Sequence, residues 1–229
     1  MPIIMFMIFS LTWFISTWPF LIPYYWQLTV QSKKMDDKLP IGHFMAVSFF
    51  VYYLTGVLSF TQIPSINDIV GIIAAKGPAI APGELNLFPF RWLTGGIRPY
   101  LENIVLFIPL GVLLPCIWEK YAGLWKTALS GLTFSLLIEL SQLFNQRVTD
   151  IDDLLMNTLG AVIGWGIFRL LNGQLAKLQS RICVLHADRQ KMPLLLREEA
   201  RFYMAGAFAG LSLVYDPFFG PLVHALLAS

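Results

Sequence analysis

Charge is scarce in this chain of 229 residues, which contains only 16 Lys or Arg and 14 Asp or Glu. Charged residues make up 13% of the sequence, whereas a soluble domain has about 25%. Apolar residues reach 56% and aromatic residues 14%. This composition excludes a soluble globular protein, and a formal net charge of +2 provides no basic surface for nucleic acid.

Cysteine and histidine are also rare, with two and three residues respectively. Cys116 and Cys183 cannot build a disulfide framework or a CxxC metal site. The histidines are scattered, and no spacing typical of a zinc site, a Walker A loop, a GxSxG turn or a GxGxxG turn is present. We therefore predict no cofactor and no metal site, and these absences favour a non-enzymatic protein over an enzyme.

Long apolar runs dominate what the chain does contain, and a membrane span needs about 20 such residues. Five runs predict spans, at 1–26, 41–63, 100–118, 124–144 and 154–171. The first lacks a basic start and a small-residue cleavage site, so it is interpreted as a span rather than a signal peptide. The last run, 202–227, is interrupted by prolines and predicts a kinked sixth span or a re-entrant hairpin. The fold class is thus all-α, a polytopic transmembrane helical bundle of five or six spans.

Two segments between the runs have a different character. Residues 64–99 contain five prolines and predict a segment that lies along or dips into the membrane interface. Residues 172–201 are basic, with apolar residues at helical spacing, and predict an amphipathic helix on the membrane surface. The chain then divides into two amino-terminal spans with the interfacial loop (1–85), a central core (86–171), and a basic segment with a terminal hairpin or span (172–229).

The distribution of basic residues predicts how the chain is oriented. With the amino terminus outside, twelve Lys and Arg fall on the inner side and four on the outer side. Cytoplasmic loops carry the excess of Lys and Arg in membrane proteins. The sequence therefore predicts a multi-pass protein of the cell membrane with the loops 64–99 and 145–153 outside.

Polar residues converge on that outer side, because both loops lie on one face of the predicted bundle. Glu139 and Gln142 are three residues apart on one helix, and Asp153 and Asn157 four apart on the next, so each pair shares a stripe. Polar residues inside spans usually face the bundle interior or a wet cavity. The predicted outward-facing polar pocket comprises Asn86, Arg91, Asn103, Glu139, Gln142, Arg147, Asp150, Asp152, Asp153 and Asn157. Its floor is the close helix packing that Gly160 and Gly164 allow.

Two interpretations of Glu139 stay open at this point. It is either a proton-carrying or ligand-binding carboxylate, or a structural partner of Arg147 or Arg91.

The acidic segment from Asp150 to Asp153 offers oxygen ligands for a divalent cation, but such residues also cap helices. Capping by Asp152 or Asp153, with pairing to Arg147, is the favoured interpretation. Together with Arg91 and Arg98, Arg147 either holds a phosphate or carboxylate or contacts lipid headgroups.

The order of these motifs resembles the VanZ-like family over about Asn86 to Leu171. The matching motifs are Asn86-Leu87-x-Pro89-Phe90, Asn103-x-x-x-Phe107-x-Pro109-x-Gly111, Glu139-x-x-Gln142 and Arg147-x-x-Asp150-x-Asp152-Asp153-x-x-x-Asn157-x-x-Gly160. The resemblance implies a bacterial integral membrane protein, in a family whose founding members are linked to low-level teicoplanin resistance. It does not imply a biochemical mechanism.

The sequence and the resemblance together predict a membrane protein that confers or modulates resistance to glycopeptide antibiotics. Its polar pocket would bind a cell-wall component or the drug, so the expected partners are membrane lipids and a cell-wall precursor or glycopeptide. One alternative is a membrane enzyme acting on a polyprenyl-linked or phospholipid substrate, with Glu139 or an aspartate of 150–153 as general base. Another is a lipid transporter or flippase that uses Glu139 as its ion-coupled carboxylate.

Overall fold

The computed structural model describes residues 3–34, 39–76, 85–86, 96–144, 149–183 and 194–221. Within these ranges the regular secondary structure is helical apart from two strands of two residues each, so the all-α prediction is confirmed. The α-helices are α1 Ile3–Ser16, α2 Trp18–Lys34, α3 Ile41–Phe60, α4 Ile66–Lys76, α5 Arg98–Ile117, α6 Leu124–Gln142, α7 Ile151–Leu170, α8 Asn172–Ile182, α9 Leu194–Arg197 and α10 Glu199–Ala209. The remaining elements are a 3-10 turn at Glu119–Tyr121, a π-helix π1 at Gly210–Phe219, and strands β1 Leu85–Asn86 and β2 Thr149–Asp150.

Three helices of 20 residues, α3, α5 and α7, are long and apolar enough to cross a membrane in the part of the chain that the structure describes. They correspond to the predicted second, third and fifth spans. Helix α6 occupies the position of the predicted fourth span but is not one of these three. The hydroxyls of Ser130 and Thr133 on α6 donate to carbonyls one turn earlier, at 2.8 and 2.7 Å. The count of five or six spans stays a prediction.

The amino-terminal run differs from its prediction, because two helices replace one uninterrupted span. Helices α1 and α2 meet at Thr17, whose hydroxyl donates to the carbonyl of Phe14 at 2.6 Å. Pro19 follows in the first turn of α2, where a residue without a backbone N–H is tolerated. A Cβ atom at Gly210 would lie 2.7 Å from Cα of Thr17, so π1 packs directly on this junction.

The carboxy-terminal run is helical from Glu199 to Phe219, since π1 continues α10 without a break. Pro217 lies inside π1 and has no N–H to donate to the preceding turn. A wider π turn is one way in which a helix accommodates such a loss. Of the two predicted alternatives, the described residues therefore favour an interrupted helix over a hairpin.

The chain forms two compact units. The first comprises residues 1–39, 47–78 and 186–229, and the second residues 40–46 and 79–185. In the first, Phe50, Leu54 and Leu58 of α3 are completely buried. In the second, Phe107, Leu110 and Leu114 of α5 are completely buried. The predicted division into 1–85, 86–171 and 172–229 stays a prediction.

The second unit is built on backbone contact between α5 and α7. A Cβ atom at Gly160 would overlap the carbonyl oxygen of Ile104, and one at Gly164 would overlap that of Ile108. From Gly160 to Gly164 on α7, the contacted residue on α5 moves from Ile104 to Ile108. The two helices therefore run parallel. The close packing predicted for Gly160 and Gly164 is confirmed.

Helix α6 runs antiparallel to α7 and completes the core of this unit. A Cβ atom at Gly131 of α6 would lie 2.6 Å from Cβ of Ala161 on α7. The rings of Phe107 on α5 and Phe134 on α6 are both buried, with centroids 6.0 Å apart. The start of α5, the start of α7 and the end of α6 therefore lie together at one end of the core.

Candidate functional site

The predicted polar residues that the structure describes lie at this shared end of α5, α6 and α7. Strand β1 pairs in parallel with β2, with Asn86 opposite Asp150. This pairing places residues from the loop before α5 beside the loop before α7. Both loops were predicted to lie on one face of the bundle. We use the term polar cluster for Asn103, Glu139, Gln142, Asp150, Asp152, Asp153 and Asn157.

Asp150 connects the start of α7 to the end of α6. Its Oδ1 accepts a hydrogen bond from the backbone N–H of Asp152 at 2.9 Å, which makes Asp150 the amino-terminal cap of α7. Its own backbone N–H donates to Oε2 of Glu139 at 3.1 Å. Glu139 is only 3% exposed. The buried carboxylate thus has a structural partner in the backbone of the next loop.

This cap corrects two sequence expectations. The last helix of the core begins at Ile151 rather than Leu154, because the capping residue is Asp150 and not Asp152 or Asp153. The extended backbone of Asp150, with φ −116° and ψ 125°, suits a capping position.

Replacing the cap gives a first testable prediction. Asp150→Ala is expected to lower the free energy of unfolding by about 1 kcal/mol, because the N–H of Asp152 loses its acceptor. Thermal unfolding of the purified protein in detergent measures the change. Asp150→Asn retains a side-chain oxygen and should remain close to wild type. Equal losses in the alanine and asparagine variants would contradict the capping role.

The other two aspartates reach across to α5. Asp153 Oδ1 accepts a hydrogen bond from the side-chain amide of Asn103 at 2.6 Å. Asp152 Oδ2 accepts one from the hydroxyl of Tyr100 at 3.0 Å, and Asp152 is 1% exposed. Both carboxylates lie in the first turn of α7, where the helix dipole favours negative charge.

Asn157 lies one turn deeper on α7 and is 2% exposed. Its side-chain N–H donates to Oγ of Ser135 on α6 at 2.9 Å. Its Oδ1 atom is buried and accepts no hydrogen bond from the described residues. Leaving a buried acceptor unpaired costs about 1–3 kcal/mol. An atom kept at such a cost is well suited to accept a hydrogen bond from a bound ligand.

Sequence reasoning missed Tyr100 and Ser135. A tyrosine at the end of a span is usually an interfacial anchor, and a serine in an apolar helix usually bonds its own backbone. The position of Ser135, 22 residues before Asn157, becomes informative only when the antiparallel pairing of α6 and α7 is known.

Several predicted residues lie elsewhere or outside the described residues. Arg91 and Arg147 are not within the described ranges, and of Asn86 only the backbone pairing is described. Gln142 is 7% exposed at the end of α6. Arg98 pairs with Glu102 on its own helix at 2.7 Å and its side chain is 88% exposed, so this pair adds little stability.

The polar cluster presents carboxylate and amide groups on a rigid frame. Within the described ranges, no group of three His, Cys, Asp or Glu side chains could hold a metal ion. The amides of the cluster can both donate and accept hydrogen bonds, and its carboxylates accept them.

The apolar helices and the buried polar cluster at one end of them define a helical membrane protein. The sequence profile of the VanZ/LLP1 family matches residues 50–172, which is more than half of the chain. The chain belongs to the VanZ/LLP1 family.

One curated relative is "Protein VanZ" of Enterococcus faecium, 38% identical over 90 residues. The match covers 39% of this chain and 55% of that protein, so the chain spans about half of the relative's length. No solved structure matches the chain.

Proposed function

We propose that this protein lies in the bacterial cell membrane as a multi-pass protein and reduces susceptibility to glycopeptide antibiotics, teicoplanin in particular. In this proposal the polar cluster binds an amide-rich cell-wall component or the drug itself. The observation that carries the proposal is the buried Oδ1 of Asn157, which accepts no hydrogen bond from the residues that the structure describes. Family membership and the similarity to Protein VanZ support the same function.

The proposed orientation places the polar cluster at the outer face, where cell-wall precursors and antibiotics are met. The support is the excess of twelve inner over four outer basic residues when the amino terminus is outside. Parallel α5 and α7 then both begin at the outer side. A ligand could reach the cluster without crossing the membrane.

Binding is favoured over catalysis or lipid transport because of how Glu139 is held. The flippase alternative, and the enzyme alternative with Glu139 as general base, need this carboxylate to exchange a proton with a substrate or with water. An aspartate of 150–153 as general base is disfavoured by the hydrogen bonds that Asp150, Asp152 and Asp153 already accept. Glu139 is buried and its Oε2 accepts a hydrogen bond from the backbone of Asp150. That hydrogen bond supports a structural role for Glu139. In the proposal, the neighbouring amide side chains recognise the ligand.

A susceptibility assay tests the proposal. A glycopeptide-sensitive host expressing the wild type should show a higher minimum inhibitory concentration of teicoplanin than the host with an empty vector. Asp153→Asn should reduce this increase, because the variant removes one negative charge from the polar cluster.

The matched control is Glu119→Gln, which removes one negative charge from the exposed turn between α5 and α6. Membrane levels of all variants are equalised, and vancomycin is tested in parallel. A wild type that changes susceptibility to neither drug would refute the proposed function.

A further inference from the structure

One pocket lies wholly within the first unit. It has a volume of about 530 Å³. Three aromatic side chains line it, with Phe9 and Trp13 from α1 and Tyr215 from π1. The rings of Trp13 and Tyr215 meet edge to face at 6.3 Å, and Phe9 stacks on Trp13 at 6.4 Å. The aromatic lining gives the pocket several ring surfaces.

Two carboxylates that line this pocket, those of Asp68 and Asp216, share one hydroxyl partner. The hydroxyl of Ser65 lies 2.9 Å from Oδ2 of Asp68 and 3.2 Å from Oδ2 of Asp216. The backbone N–H of Ser65 also donates to Oδ2 of Asp68 at 2.9 Å, so the hydroxyl hydrogen can serve Asp216. The side-chain amide of Asn67 adds a hydrogen bond to Asp216 at 2.7 Å. In the part of the chain that the structure describes, the Arg ion pairs involve other carboxylates and leave this pair without a cation.

Ser59 adds a polar atom to this lining. The buried hydroxyl oxygen of Ser59 has no hydrogen-bond partner in the described chain.

We propose that this pocket binds an organic cation, an ammonium group attached to an apolar body. Ring faces attract ammonium groups, and the two carboxylates provide the opposite charge. The free hydroxyl oxygen of Ser59 accepts a hydrogen bond from the ligand. This site is independent of the polar cluster and of the proposed glycopeptide function.

The ammonium group can belong to a membrane lipid headgroup or to a water-soluble amine. The test uses the full chain in nanodiscs of phosphatidylglycerol, whose headgroup carries no ammonium. Isothermal titration compares 2-phenylethylammonium with 2-phenylethanol, which has a similar shape but no charge. We expect the ammonium compound to bind and the alcohol to bind at least about tenfold more weakly.

Adding phosphatidylethanolamine to the nanodiscs distinguishes the two sources. If a lipid headgroup is the natural ligand, it competes and weakens the apparent affinity for the soluble ammonium compound. If affinity is unchanged, the ligand is a soluble amine. Both results support an ammonium site.

The variants decide whether the binding occurs at this pocket. Asp68→Asn and Asp216→Asn should each weaken ammonium binding about tenfold, while Glu119→Gln in the other unit should not. Trp13→Leu keeps an apolar side chain and should weaken binding by removing a ring face. Melting temperatures of all variants are measured to confirm folding. Equal binding of the alcohol, no binding to wild type, or unchanged affinity in both aspartate variants would overturn the proposal.

Discussion

Gly164→Leu is expected to separate α5 from α7 and to lower the free energy of unfolding by about 3 kcal/mol. A Cβ atom at this position would overlap the carbonyl oxygen of Ile108 and lie 2.9 Å from Cα of Gly111. Both neighbours are backbone atoms, so no side chain can rotate away to make room. The helices must move apart, and the contacts of Asn103 with Asp153 are lost with them.

Gly166→Leu is the matched control on the same helix. A Cβ atom at Gly166 meets nothing within 4 Å, so the same substitution should leave stability close to wild type or raise it through helix propensity. Detergent-solubilised protein unfolded by increasing sodium dodecyl sulfate measures both variants. Equal stability of the two variants would show that α5 and α7 do not pack through Gly164.

Much of the core was predictable because apolar length and glycine spacing are local properties. The runs that became α3, α5 and α7 are long and little interrupted, and Gly160 and Gly164 lie one turn apart on α7. The junction at Thr17 was not predictable from hydropathy, because residues 1–26 contain no charge. Its position depends on Pro19 and on packing against the distant Gly210.

The candidate site was predictable where topology alone sets its contacts. Once two loops share a face, Asn103 and Asp153 come close, and the structure joins them by a hydrogen bond. The bond between Ser135 and Asn157 depends on the exact register of α6 against α7, which sequence does not reveal. The pair of Asp68 and Asp216 was missed because the Ser65 that joins them is 151 residues from Asp216.

Replacing Asn157 and Ser135 together has the largest expected effect on function. Asn157→Leu with Ser135→Ala removes the unpaired Oδ1, its side-chain amide and the hydroxyl that this amide contacts. Replacing both members of a buried polar pair by apolar groups of similar shape is nearly neutral or stabilising. We therefore expect stability equal to or above that of the wild type, together with loss of the proposed effect on teicoplanin susceptibility. If Asn157 and Ser135 had only a structural role, the double variant would not lose its effect on susceptibility while keeping its stability.

The most direct test of the central claim is the minimum inhibitory concentration of teicoplanin for cells with wild type or the Asn157→Leu/Ser135→Ala variant. Membrane levels are matched, and the unfolding of both purified proteins is measured alongside. We expect the wild type to raise the inhibitory concentration and the variant, folded and equally abundant, to return it to the empty-vector value. Full resistance in the variant would contradict the claim that the polar cluster binds the ligand.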